Sequence, residues 1–257
     1  MEDRNVAKLD GKTALVTGAS RGIGRGIAQR LATDGALVAI HYGSNEEAAK
    51  QTVAEIEQAG GRAFSIRAEL GVEGDVDILF AGLEKGLSGR PLDILVNNAA
   101  GPPGGPIEET TREAFDRIFA INVRAPFFII QRALPILRDG GRIITISSVA
   151  TRIAVPSQTS YAMTKGALEV MGHTLANALG KRNITVNTVR SGTTYHEHAA
   201  LLDLPGVKDF MVSMTALGRL GSPSDIADVV AFLASDDGRW ITGQVLDASG
   251  GIYLGPR

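Results

Sequence analysis

Apolar residues along this chain keep two alternating rhythms. Short, nearly continuous runs rich in Val, Ile and Leu predict strands over residues 12–17, 36–42, 62–66, 92–96, 142–146, 184–189 and 244–247. Between them, apolar positions recur every three or four residues, which predicts helices over 22–34, 46–59, 72–87, 111–138, 157–179, 207–216 and 224–234. Gly35, the pair Gly60–Gly61 and the pair Gly140–Gly141 punctuate the joins. Pro126 lies inside the region 111–138 and predicts a kink or break there. The strand runs show little polar alternation, as in a sheet covered on both faces. Strand–helix alternation of this kind predicts one α/β domain, 1–257: a doubly wound parallel sheet of about seven strands with helices on both faces. In such a sheet ligands bind outside the carboxyl ends of the strands. Residues 190–205 show neither rhythm and read as irregular.

Composition narrows the function classes. The 257 residues carry 44% hydrophobic and 21% charged side chains, within the range of soluble globular proteins. There is no cysteine, which excludes disulfides, thiolate metal sites and a cysteine nucleophile. A formal net charge of -2 gives no electrostatic reason to expect nucleic acid or an anionic membrane as partner. No apolar run approaches the ~20 residues of a membrane span. Residues 1–10 lack the form of a secretory signal, so a cytoplasmic location is expected.

The first strand runs into T-G-A-S-R-G-I-G, which opens the first helix. Gly18, Ser20, Arg21, Gly22, Ile23 and Gly24 therefore stand where a Rossmann-like fold takes a dinucleotide pyrophosphate on glycine turns and free helix N–H groups. The spacing G-x-x-x-G-x-G is looser than the common G-x-G-x-x-G fingerprint. At the end of the second strand an NAD site wants a carboxylate for the ribose 2′-hydroxyl. Here the chain reads Tyr42, Gly43, Ser44, Asn45, with no acid before Glu46. Arg21, Ser44 and Asn45 suit a 2′-phosphate instead, so NADP, as NADPH, is the expected cofactor.

Further on, Ser147 to Lys165 reads S-S-V-A-T-R-I-A-V-P-S-Q-T-S-Y-A-M-T-K. Tyr161 and Lys165, four residues apart, share one helical face. A phenol has a pKa near ~10, and a nearby cation would pull it toward the working range. By itself this pair is equally an ordinary aromatic beside a solvated charge. The glycine loop, N-N-A-A-G after the fourth strand, Ser148 and Tyr161-x-x-x-Lys165 occur in one order, and with them the chain resembles the short-chain dehydrogenase/reductase family over about residues 9–252.

That resemblance implies roles position by position. Tyr161 would be the acid in carbonyl reduction, and Lys165 would lower its pKa and bind the nicotinamide ribose. Ser148 would hydrogen-bond the substrate oxygen, in preference to Ser147, and Asn122 would help hold a proton-relay water. Asn98, Ala99 and Ala100 would line the cofactor cleft, with Glu69 and Leu70 beside the adenine. Ser191, Gly192, Thr193 and Thr194 would flank the nicotinamide. The pattern departs from the family at Ala100 and Ser191, where glycine and proline are usual, at Glu69 for aspartate, and at His196 for threonine. The family also implies a lid over about 190–216 and a homo-oligomer, usually a tetramer.

The leading expectation is an NADPH-dependent ketoreductase similar to 3-oxoacyl-carrier-protein reductases, acting on a small-molecule ketone that is free or bound to a carrier protein. A second reading is reduction of a polycyclic aromatic polyketide or quinone, favoured by the altered segment 191–198. A third is a dinucleotide-binding sensor without turnover, against which the intact Ser148, Tyr161, Lys165 and Asn122 argue. His196 and His198 do not face each other at helical spacing and have no evident third ligand, so no metal site is expected. Tyr195, His196 or His198 is expected to meet the substrate. His41, His173 and Trp240 read as packing residues.

Overall fold

The computed structural model describes residues 7–102, 104–195, 204–252 and 254. Its strands are β1 (Thr13–Val16), β2 (Leu37–Tyr42), β3 (Arg62–Arg67), β4 (Leu92–Asn97), β5 (Leu137–Ser148), β6 (Thr185–Ser191) and β7 (Val245–Ala248). They form one parallel sheet in the order β3-β2-β1-β4-β5-β6-β7. The helices are α1 (Gly22–Thr33), α2 (Glu46–Gln58), α3 (Asp75–Leu87), α4 (Arg112–Phe119), α5 (Ala125–Ala133), α6 (Thr159–Leu179), α7 (Val207–Met214) and α8 (Pro223–Ala234).

Residues of even and odd parity in each strand meet different helices. Ile94, Val96, Ile144 and Ile146 pack with Ile27, Leu31, Ile56 and Val230 of α1, α2 and α8. Leu15, Leu95 and Ile143 pack with Leu79, Leu83, Ile129, Ile130 and Leu179 of α3, α5 and α6. The central strands β1, β2 and β4 are thus buried on both faces, which is why they read as continuous apolar runs, whereas the edge strands β3 and β7 are only partly covered. Strand order reverses between β1 and β4, and at such a point the first connections diverge to leave a crevice at the carboxyl ends.

The region 111–138 differs most from its expected form. It holds α4, a π-helical turn over Ala120–Arg124 and α5, and ends at Ala133. Pro126 has no N–H to return to the carbonyl four residues back, and its ring crowds that carbonyl. The preceding turn widens, with the Ala125 N–H bonding to the Ala120 carbonyl five residues back. Leu137 is already strand, paired with Leu92, and the pairing resumes at Ile94 with Arg142 after a bulge over 138–141.

Trp240 and His173 are not packing residues. The indole is 95% exposed and the neighbouring Ile241 packs against the core instead. His173 lies on the exposed side of α6, its Nδ1 3.5 Å from the Gly243 carbonyl. Among the described residues, no helix is long and apolar enough to cross a membrane.

Candidate active site

The glycine loop occupies the crevice between β1 and β4. Gly18 adopts φ +63°, a left-handed conformation that favours glycine. A Cβ there would lie 2.9 Å from the Ala99 Cα, and one on Gly24 would lie 2.3 Å from the Gly18 carbonyl oxygen. Asn98 Nδ2 donates to the carbonyls of Thr17 (2.8 Å) and Gly18 (3.0 Å). The Gly18 N–H donates to His41 Nδ1 (3.0 Å), whose Nε2 meets the Ala68 carbonyl at 2.9 Å. An N–H and a carbonyl at the two ring nitrogens require a neutral ring with its proton on Nε2. Burial pushes the His41 pKa down, in keeping with that state. His41, expected as packing, thus braces the loop.

Arg21 is the N-cap of α1, its side chain makes no capping hydrogen bond, and no acid lies in the first turn. Such an end presents free donors and partial positive charge to an anion. The tight glycine cradle and the open helix end together fit a dinucleotide pyrophosphate. The cleft above them encloses about 560 Å³ between the loop, residues 41–45, residues 67–70 and residues 98–102.

At the far end of this cleft Gly43, Ser44 and Asn45 are exposed and no carboxylate stands among them. Asn45 is partly committed, because its Oδ1 accepts from the Ala48 N–H and caps α2. Arg21 is exposed and lines the cleft together with Arg67, which stands in register with Tyr42 on the neighbouring strand. The position of Arg67 was not foreseen. Glu69 pairs with Arg117 at 2.8 Å on the rim, while Leu70 is buried behind it.

The proton-transfer group lies at the carboxyl end of β5. Ser147 and Ser148 point to opposite sides, as neighbours in a strand do. Ser147 is 1% exposed and its hydroxyl donates to Glu169 Oε1 at 2.8 Å. Ser148 lies within hydrogen-bonding reach of the Tyr161 hydroxyl, whereas the Ser147 hydroxyl is committed to Glu169. Lys165 is 2% exposed, donates to the Ile146 carbonyl at 2.9 Å and lies 5.6 Å from the centre of the Tyr161 ring. Asn122, in the π-turn, is fully buried; its Nδ2 donates to Thr164 Oγ1 (3.0 Å) and its Oδ1 accepts from the Gly101 N–H (2.8 Å). This one side chain joins the loop after β4 to the helix of Tyr161.

The expected lowering of the Tyr161 pKa is not what this geometry produces. Burial pushes the phenol up from its ordinary value, with the Ser148 hydrogen bond opposing it. Burial also lowers Lys165, to about 8.

Downstream, β6 runs on through Ser191, whose hydroxyl donates to the Ser147 carbonyl at 3.1 Å. A proline here would lack that hydroxyl. Gly192, Thr193 and Thr194 line a separate hollow of about 170 Å³ with Leu217 and Arg219. Tyr195 is exposed, with the Lys208 ammonium 5.6 Å from its ring. His196 and His198 lie outside the described residues. Among the described residues no cluster of His, Asp and Glu is placed to hold a metal.

A family described as enoyl-(acyl carrier protein) reductase, a branch of the short-chain dehydrogenases and reductases, matches residues 18–253. Among solved structures, the angucycline C-6 ketoreductase LanV with bound NADP is 55% identical, with a TM-score of 0.94 and 97% of this chain and 98% of that one covered. LugOII, described as a promiscuous reductase catalysing keto-reduction at C1 in lugdunomycin biosynthesis, is 56% identical, with a TM-score of 0.93 and 96% and 100% covered. The trihydroxynaphthalene reductase of Colletotrichum orbiculare is 39% identical over 96% of this chain and 92% of its own length.

Proposed function

Since the chain belongs to the short-chain dehydrogenase/reductase family and is an oxidoreductase, we propose that it reduces a ketone of a polycyclic aromatic polyketide with NADPH. The single observation that carries the chemistry is the cluster of half-buried Ser148 and Tyr161 with buried Lys165, beside a glycine cradle at the sheet's switch point. Of the two substrate readings, the fused-ring one is favoured by the likeness to proteins named for angucycline and naphthalene-type substrates. The acyl-carrier-protein reading has the family description alone behind it.

When bound, NADPH supplies the hydride that adds to the carbonyl carbon. The N–H groups at the start of α1 would hold its pyrophosphate, Arg21, Ser44 and Arg67 its 2′-phosphate, and Asn98, Ala99 and Lys165 its nicotinamide ribose side. Ser148 donates a hydrogen bond to the carbonyl oxygen and Tyr161 transfers its proton there as negative charge develops. A phenol with a raised pKa is protonated at neutral pH, as a donor must be. The nearby Lys165 ammonium then faces the phenolate that remains.

NADPH-oxidation assays should show turnover of polycyclic aromatic ketones and little with short acyl thioesters, and the reverse order would sink the substrate reading. Arg21→Ala combined with Arg67→Ala should weaken NADPH relative to NADH by about 10²–10⁴-fold, each lost charge-assisted hydrogen bond costing about 1.5–3 kcal/mol. Equal loss for both cofactors would remove the 2′-phosphate role.

We also infer that the chain assembles as a homotetramer working in the cytoplasm, where NADPH is the working reductant. Support comes from the family resemblance and from large apolar side chains exposed on two helices: Phe127 and Phe128 on α5, at 49% and 44%, and Met163 and Val170 on α6, at 50% and 68%. Large apolar side chains left in solvent on two helices suit an interaction surface. Phe127→Asp with Val170→Asp should shift the mass measured by light scattering from tetramer toward monomer.

A further inference from the structure

A buried ionic network behind the candidate site has no part in the chemistry above. Arg190, on β6, is 7% exposed. Its Nη2 meets Glu169 Oε2 at 2.8 Å, and its Nε lies 3.1 Å from Glu169 Oε1 and 2.9 Å from Thr151 Oγ1. Glu169 Oε1 also accepts from the hydroxyls of Ser147 (2.8 Å) and Thr151 (2.9 Å). Thr151 Oγ1 in turn lies 3.0 Å from the Ser148 carbonyl. One carboxylate on the helix of Tyr161 therefore holds the residue before Ser148 and the turn after it. On its other side, Arg190 Nη1 stands 3.6 Å from Asp247 Oδ2, and Asp247 Oδ1 binds the N–H and hydroxyl of Ser249. Ser249 packs so close to Gly192 that a Cβ there would lie 2.7 Å from the Ser249 Cα.

Burying an ion pair is weak support for stability alone, because desolvation offsets most of the attraction. The placement points elsewhere. Resting on the ketoreductase reading, we propose that Glu169 and Arg190 are positioning residues that set the Ser148 hydroxyl against Tyr161. Two helical turns separate Glu169 from Tyr161 on α6, so the network fixes strand end and helix as one body. A displacement of about 1 Å at a reacting group can cost ~10²-fold in rate.

The test is a pair of double-mutant cycles on the full chain, with the best ketone of the assay above as substrate. Glu169→Gln removes the charge and keeps the shape; Thr151→Val removes one hydroxyl and leaves the ion pair intact, so it guards against misfolding of the first variant. Each should lower kcat about tenfold or more, with the NADPH Kd from fluorescence titration changed less than about twofold. On a Ser148→Ala background the same changes should lose nearly all their effect, since the group they position is gone. Penalties of equal size in both backgrounds, or a loss that falls on NADPH binding, would overturn the proposal. A wild-type chain that turns over no ketone overturns the functional reading beneath it as well; additive penalties in an active enzyme overturn this inference alone.

Discussion

Tyr161→Phe should lower kcat by about 10³-fold while leaving NADPH affinity within about twofold. General-acid catalysis contributes roughly 10²–10⁴-fold, so a thousandfold loss is the middle of the range. It corresponds to about 4 kcal/mol of barrier. The ring is retained and only the hydroxyl with its Ser148 hydrogen bond is lost, worth about 1 kcal/mol of stability. The catalytic effect therefore far exceeds the structural one, and a stopped-flow or steady-state measurement reads it cleanly. The raised phenol pKa adds a pH signature. Reduction needs the protonated phenol, so the titration of Tyr161 itself should limit turnover only in strongly alkaline solution, while a fall beginning near pH 8 would report Lys165. A variant that keeps wild-type turnover would move the proton donor elsewhere.

Lys165→Met should trade activity for stability. Its ammonium is buried and its pKa falls from the ordinary 10.5 to about 8. Between those values the unfolded chain holds more protons than the folded one, so cofactor-free stability rises with pH across the window from about 8 to 10.5. Below it the charged lysine disfavours the folded state by up to ~3 kcal/mol, taking ~1.36 kcal/mol per pKa unit. The hydrogen bond to the Ile146 carbonyl returns about 1 kcal/mol of that. Methionine removes the titration, so urea unfolding at neutral pH should show the variant more stable by roughly 1–2 kcal/mol, with no rise toward alkaline pH. Its kcat/KM should fall at least ~10²-fold, since the cation near the forming phenolate is gone. A parallel pH dependence in both proteins would mean that Lys165 is not the group that titrates.

The sheet was legible because its central strands are covered on both faces and read as near-continuous apolar runs, such as Thr13–Val16 or Leu37–Tyr42. Tyr161, Lys165 and the glycine loop were legible because their chemistry is local, set by a helical turn or a strand–helix junction. What sequence left hidden depends on distant partners. Leu137 reads as a helix end until Leu92 pairs with it. His41 reads as one apolar position among many until Gly18 and Ala68 appear at its two nitrogens. Glu169 and Arg190 read as surface charges until strand and helix packing bring them inside, and Arg67 until strand register sets it, still exposed, beside Tyr42 at the cleft. The raised Tyr161 pKa was missed for the same reason: charge proximity follows from spacing, whereas desolvation is a property of the assembled site.

The π-turn over Ala120–Arg124 inserts an extra residue into a helix. One added residue rotates everything after it by about 100° relative to an unbroken helix. That rotation turns Ile129 and Ile130 to the sheet and Phe127 and Phe128 outward. The same turn that sets Asn122 against Thr164, on the helix of Tyr161, thus also sets the phase of the exposed phenylalanines. A single-residue deletion there would restore regular winding and misalign the proton path and the outer helix face together. Length in this segment is consequently under double constraint, from the buried contacts of Asn122 and from the facing of the outer helix surface.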